Sequence, residues 1–201
     1  MTVTFSDILS ASFVHLYLSL IGTLAGGLVG FIIAVLGRNH ARILTVFLTI
    51  AELIQTFPSI AMLALLLLVF GLGNNTLIVS LALYGIMPVL QNTYEGLRAV
   101  DPMLIEVGRG MGMTKRQVLR RVELPLTFPM ILAGFRVSLV TSIGIATIGV
   151  FVGSGGLGLF IYRGLQMLDN QIMLEGAIPA AILAILVELL IGLLERRLAK
   201  R

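Results

Sequence analysis

The chain has 201 residues, 58% of them hydrophobic and only 12% charged, with a mean hydropathy of +1.05 and a net charge of +4. Soluble domains run about 45–50% apolar and about 25% charged, so this chain is too poor in charge for a water-soluble surface and too apolar for disorder. It has no cysteine, hence no disulfide, thiolate metal site or cysteine nucleophile.

The composition fits a bilayer, where excess Lys and Arg reads as topology rather than as nucleic-acid binding. A spanning helix needs roughly 20 mainly apolar residues. The first such stretch covers residues 13–36, ahead of Gly37 and Arg38. Before it stand Asp7 and no Lys or Arg; a secretory signal starts with basic residues, so the segment is read as retained. Gly22, Gly26 and Gly30 recur every fourth residue within it. That spacing lets helix backbones approach closely in lipid, inside the chain or at a seam with another subunit. The second apolar run, 43–70, is interrupted by Thr56, Phe57, Pro58 and Ser59. Two halves of about 13 residues reach ~20 Å each, short of a core of about 30 Å. The expectation is therefore one span over residues 58–72, led in by a partly interfacial helix. The third span is 76–97, the fourth 126–152 and the fifth 176–195. Gly134, Ser138, Ser142, Ala146 and Gly149 give the fourth a stripe of small residues.

Five spans put the termini on opposite sides. Arg38, Arg42, Arg98, Arg109, Lys115, Arg116, Arg120, Arg121, Arg196, Arg197, Lys200 and Arg201 gather on one side: twelve of the 14 basic residues. Only Arg163 lies on the other, and Arg136 falls within a span. Cytoplasmic loops are the Lys/Arg-rich ones, which predicts an outer amino terminus and a cytoplasmic carboxyl terminus. With no low-complexity stretch, inverted repeat or separate soluble segment, residues 1–201 read as one all-α transmembrane domain. Five helices are few for enclosing a path, so a second copy or a homologous partner is expected to supply the other half.

The loop 98–125 is too patterned for a tether. Asp101-Pro102 is an N-cap followed by proline at the first helical position. Val100, Met103, Leu104, Val107 and Met111 then recur at helical spacing, with Glu106 and Arg109 elsewhere on the wheel. Gly110 and Gly112 stop that helix, Thr114 to Gln117 forms a capping box for a second, and Pro125 closes it. Val118, Leu119 and Val122 give the second helix its apolar side. Such an elbow is shaped either to press into a protein partner or to lie on anionic headgroups.

Glu106-Val107-Gly108, then Gly112, then Val122-Glu123-Leu124-Pro125 resembles the EAA motif of ABC importer permeases: Glu-Ala-Ala, three residues, Gly, nine residues, Ile-x-Leu-Pro. The spacing matches throughout; Val107 and Gly108 replace the alanines and Val122 the isoleucine. Ala82 to Pro88, Arg109-Gly110-Met111-Gly112-Met113-Thr114 and Gly153-Ser154-Gly155-Gly156-Leu157-Gly158 are similar to the permeases of the glycine betaine/carnitine/choline family. The methionine importer permease shares the loop and the fold that the resemblance implies, a five-helix type I permease. The resemblance further implies that the loop couples to a separate ATPase through Glu106, Val107, Gly108, Met111, Gly112, Met113, Thr114, Leu124 and Pro125. Two ATPase subunits holding ATP and Mg, a second or sister permease and an extracytoplasmic substrate-binding protein complete the expected assembly in a bacterial cytoplasmic membrane. Another small solute such as an amino acid, or an ion-gradient transporter or small channel, are the alternatives.

The chain itself reads as no enzyme. Gly153 to Gly158 has P-loop glycine spacing, but Leu159 stands where lysine must hold the phosphates. Those glycines suggest a tight re-entrant turn or a flexible connector on the outer side. Ionisable groups in lipid cost about 2.5–3.5 kcal/mol and usually pair or face a cavity; Glu52, Arg136 and Glu188 are such groups. The expectation is that Arg136 pairs with Glu52 or Glu188, as a fixed packing bond or as one that changes between access states. His15 and His40 are isolated and read as interfacial, and no carboxylate–histidine cluster has metal-ligand spacing. Tyr84, Phe57 and Tyr94 could pack or meet a quaternary amine through cation–π attraction; Tyr84, Ser138, Ser142 and Thr147 are the candidate pathway residues.

Overall fold

A computed structural model describes residues 4–199, all of whose regular elements are helical. Lys200 and Arg201, counted in the charge pattern above, lie outside them. In chain order the elements are α1 (Phe5–Gly37), α2 (Ala41–Thr56), α3 (Ser59–Phe70), α4 (Asn74–Ala99), α5 (Pro102–Gly110), α6 (Lys115–Val118), α7 (Leu124–Ala146), α8 (Gly158–Met167) and α9 (Asn170–Ala199). A π-helical turn, Leu119–Glu123, joins α6 to α7, and a 3₁₀ segment, Thr147–Val152, follows α7.

The bundle is organised around α4, against which α1 and α7 pack. All three glycines of the α1 repeat face it. A Cβ built on Gly26 would lie 1.9 Å from the Ala82 carbonyl oxygen, one on Gly30 2.5 Å from the Ile86 carbonyl oxygen, and one on Gly22 2.4 Å from the Leu81 Cβ. The repeat is thus an internal backbone-to-backbone contact and not a subunit seam. Gly134 of α7 repeats the device on an adjoining face of α4, where a Cβ would stand 2.8 Å from the Pro88 carbonyl oxygen. Hydroxyls complete these contacts: Thr23 donates to Ser142 at 2.9 Å and Ser138 to the Gly85 carbonyl at 3.4 Å. His15 belongs to the same interior. It is fully buried, and its Nε2 donates to the Ile143 carbonyl at 2.9 Å, which corrects its reading as interfacial. His40, in contrast, is exposed at the start of α2.

Among the described residues, four stretches are long and apolar enough to cross a membrane: α1, α4, the helical run Lys115–Val152, and α9. The expected span 58–72 is corrected. Its helix, α3, holds 12 residues, about 18 Å at 1.5 Å per residue, short of a core of about 30 Å. Together α2 and α3, bent by 101° at their junction, are long and apolar enough for a fifth, broken crossing or a re-entrant loop. The cause of the bend is local. Phe57 takes the extended conformation (φ −66°, ψ 133°) that a following proline imposes, and Gly71 at φ +73° ends α3.

The bend is tied to α4 at one residue. Pro88, inside α4, lacks the N–H that would bond the Tyr84 carbonyl in an unbroken helix. The Gln55 side chain supplies that donor from α2 at 2.9 Å, and the Tyr84 hydroxyl donates to the Phe57 carbonyl at 2.6 Å. A helix fault in α4 and a helix end in α2 therefore satisfy each other.

Gly26→Val is expected to separate α1 from α4. Overpacking of this kind costs typically ~1–3 kcal/mol, with more expected where the obstacle is backbone. Gly144→Ala serves as control, because a Cβ there meets nothing within 4 Å. The thermal midpoints of the detergent-purified variants check this, with a fall expected for the first and none for the second.

Candidate functional site

The elbow between α4 and α7 assembles itself from local signals. Asp101 caps α5, its carboxylate accepting from the Met103 N–H at 2.8 Å, and Pro102 occupies the first turn, where an N–H has no partner anyway. The turn out of α5 is closed by Met113 N–H donating to the Gly108 carbonyl at 3.1 Å, with Gly112 at φ +81°. Thr114 and Gln117 then bond reciprocally to each other's backbone N–H, at 3.4 and 2.7 Å, to start α6.

The expectation that Pro125 closes the second short helix is corrected. The chain remains helical from Lys115 through the π turn into α7, with Leu124 N–H bonding to Leu119 C=O across the wider loop. Pro125 sits in the first turn of α7, where its missing N–H is absorbed at the change of helical pitch. The elbow is thus one rigid piece with the membrane helix it precedes.

Its two faces differ in kind. Gly108 and Val118 are buried between the short helices, with Met113 and Val122 half-buried beside them. The opposite face leaves Met103, Leu104, Val107 and Met111 uncovered at 68%, 44%, 54% and 73% exposure. Glu106 and Thr114 are exposed on the same elbow, and Leu124 is half-buried where it joins α7. Among the described residues, this row of four large apolar side chains on a capped elbow is left without a covering partner. Basic residues surround it: Arg109, Lys115, Arg116, Arg120 and Arg121 are all exposed. One tie joins it to α1, where Arg38 Nε lies 3.3 Å from a carboxylate oxygen of Glu123. Neither charge suggested this tie in the sequence, since 85 positions separate them.

Of the expected intramembrane groups, Arg136 and Glu188 meet and Glu52 does not join them. Arg136 bonds Glu188 and also Glu195, one helical repeat further along α9, the latter at 3.1 Å. The spacing of Glu188 and Glu195 by seven residues places both on one side of α9, a signal the sequence carried. Glu52 instead lines an open groove of about 490 Å³ between α2 and α4 with Gln91, Tyr94, Glu95 and Arg98. There the Arg98 guanidinium stands 5.6 Å from the centre of the Tyr94 ring.

The candidate pathway residues are found at helix contacts. Tyr84, Ser138 and Ser142 are buried and hydrogen-bonded to neighbouring helices, and Thr147 donates to the Gly144 carbonyl of its own helix at 2.7 Å. Tyr84, Ser138 and Ser142 thus join helices within this chain, while Thr147 is half-buried. The segment Gly153–Gly158 is a pinned turn and not a flexible connector. Ser154 Oγ donates to the Asn74 side chain at 3.0 Å, Gly73 N–H donates to the Val152 carbonyl at 2.7 Å, and Gly153 and Gly156 take φ of +73° and +106°.

These features define a polytopic helical membrane protein with a rigid amphipathic elbow inserted between two spans. The family model described as "Binding-protein-dependent transport system inner membrane component" matches residues 26–200, and the chain belongs to that family. It is 46% identical over 185 residues to the carnitine transport permease protein OpuCD of Listeria monocytogenes, covering 92% of this chain and 83% of that one. It is likewise 46% identical over 186 residues to the glycine betaine/carnitine/choline transport system permease protein OpuCD of Bacillus subtilis (strain 168), covering 92% and 81%. The osmoprotectant import permease protein OsmW of Salmonella typhimurium is 35% identical over 191 residues, covering 92% of this chain and 89% of that one. Among solved structures, the inward-facing MetNI methionine ABC transporter superposes with a TM-score of 0.84 over 95% of each chain at 22% identity, which fixes the fold.

Two glycines of the elbow are expected to respond oppositely to alanine. At Gly108 a Cβ meets only ordinary contacts, at 3.5–3.7 Å, so Gly108→Ala gains helix propensity worth up to about 1 kcal/mol. Gly112→Ala has space but the wrong backbone, and left-handed geometry costs it ~1–2 kcal/mol. Protease susceptibility of the elbow should fall in the first variant and rise in the second.

Arg136→Gln would leave two carboxylates facing each other without their cation. The group is partly open, its side chains retaining 23–46% exposure, so a loss of about 1–2 kcal/mol is expected, below the ~3–5 kcal/mol of a fully buried pair. A lowered thermal midpoint, restored in the triple variant Arg136→Gln/Glu188→Gln/Glu195→Gln, is the check.

Proposed function

We propose that this chain is the permease subunit of an ABC importer for quaternary-ammonium osmoprotectants of the glycine betaine, carnitine and choline type. The observation that carries the reading is the uncovered face of Met103, Leu104, Val107 and Met111 on an elbow continuous with α7. A soft, Met-bearing apolar row fits a cleft on a protein better than it fits water. The EAA-type spacing from Glu106 to Pro125 supports the same docking, and the names of the 46% identical relatives support the substrate class.

In this reading the basic ends of the helices face the cytoplasm, the amino terminus lies outside, and two ATPase subunits seat one elbow each. A second copy or a sister permease completes the path, and a substrate-binding protein delivers the solute from the outer side. ATP and Mg belong to the ATPase subunits, and this chain performs no covalent chemistry. Closure of the ATPase pair moves the elbows. Because each elbow runs into α7 without a joint, α7 turns with it and carries α4 across the Gly134 contact. Selection among solutes rests with the binding protein, so the permease needs polar, weakly holding walls rather than a tight site.

Val107→Asp and Met111→Asp place an unpaired charge in the docked face. Each is expected to weaken ATPase association by about tenfold or more, the equivalent of ~1.4 kcal/mol. Co-purification of the ATPase with the tagged permease, and binding-protein-dependent uptake of radiolabelled glycine betaine into proteoliposomes, are the measurements. Uptake that persists without any P-loop subunit and follows an ion gradient would overturn the reading.

A further inference from the structure

We propose that the Arg38–Glu123 ion pair is a strap through which movement of the elbow reaches α1 and α2, and that both residues are positioning residues for transport. The inference rests on the coupling role given to the elbow above. Movement enters α7 directly along the chain, and it enters α4 through the two residues, Val100 and Asp101, that precede α5. No covalent route of comparable length leads to α1, whose nearest end, Gly37, stands 64 positions before Asp101. Arg38 closes that gap. It is the residue at which α1 ends, and its guanidinium is held twice: Nη1 donates to the Val35 carbonyl at 2.8 Å, and Nε lies 3.3 Å from Glu123.

Both side chains are four-fifths or more withdrawn from solvent, at 20% and 15% exposure, so the attraction is screened less than at an open surface. Glu123 closes the π turn, the one irregular stretch of the run Lys115–Val152 up to Ala146. The opposite end of the strap is equally firm. Immediately past Arg38 the chain turns into α2, and the corner is packed: a Cβ on Gly37 would meet Leu44 at 2.9 Å, and Leu44 joins Ala34, Ala51 and Leu90 in one buried cluster. Pulling on Arg38 therefore pulls on the α1–α2 corner, and through α2 on the bend held by Gln55 and Tyr84. A docked ATPase would then move the regular helices through the chain and the broken crossing through the strap.

The test uses the complete complex with ATPase and binding protein in proteoliposomes, and it reads solute taken up per ATP hydrolysed. Arg38→Glu and Glu123→Arg should each lower that ratio at least about fivefold, while the double reversal Arg38→Glu/Glu123→Arg should bring it back to within about twofold of the parental value. Single reversals that keep the parental ratio overturn the proposal, as does a double reversal that assembles with the parental thermal midpoint yet stays uncoupled. Should the single reversals not assemble, the neutral variants Arg38→Gln and Glu123→Gln replace them. A lowered thermal midpoint with an unchanged ratio then identifies a merely structural pair and overturns the strap. Absence of the ATPase from the parental preparation removes the coupling role itself; its presence with an indifferent ratio removes the strap alone.

Discussion

Close approach of helix backbones along α4 is the constraint on which the rest of this molecule depends. In a bilayer the lipid tails are as apolar as any leucine, so helices gain little from hiding hydrophobic surface from one another. They must instead touch intimately enough to profit from dispersion and from weak polar contacts. Gly22, Gly26 and Gly30 of α1, and Gly134 of α7, bring those two helices against adjoining faces of α4 more closely than any side chain would permit. The buried hydroxyls of Thr23, Ser138 and Ser142 and the imidazole of His15 add direction to contacts that have little of their own.

Around that three-helix body, Pro88 and Pro125 each disturb the helical hydrogen-bond ladder, and each disturbance has its answer nearby. Pro88 opens the hydrogen-bond ladder of α4, and Gln55 and Tyr84 use the opening to fasten the bend of α2 and α3. Pro125 lies in the first turn of α7, just behind the π turn, where Leu124 N–H reaches one residue further back than in an α-helix, to Leu119 C=O. The joint lies at Phe57–Pro58, where the residue before proline is extended; none forms at Pro125, where Leu124 stays helical.

The amino-acid order made much of this legible. Hydropathy outlined the long spans, Asp101-Pro102 and Thr114 to Gln117 marked both helix starts of the elbow, and the fourfold glycine spacing marked a close contact, though not with which helix. Local patterns could not reveal pairings made in three dimensions. Arg38 with Glu123, and Gln55 with the carbonyl of Tyr84, are joined only by the fold. His15 misled for the same reason: a lone histidine near a helix start resembles a headgroup residue until the Ile143 carbonyl is brought against it. Pro125 misled differently, since proline is a stop signal in an ordinary helix, whereas here it stands just behind a π turn that has already shifted the hydrogen-bond pattern, and the chain runs on as helix. The serines of α7 and Tyr84 were candidates for a wet wall, yet polarity alone does not distinguish a channel lining from a buried clasp.

The unbroken run from Lys115 into α7 fixes the length of the stretch between elbow and membrane. An α-helix turns about 100° per residue, so one amino acid inserted or deleted between Thr114 and Leu124 would rotate the glycine and serine stripe of α7 by roughly that angle away from α4. To keep that stripe in register, the uncovered apolar row would have to point elsewhere. The nine-residue interval from Gly112 to Val122 therefore behaves like the cut of a gear tooth, setting the phase between two surfaces that never meet.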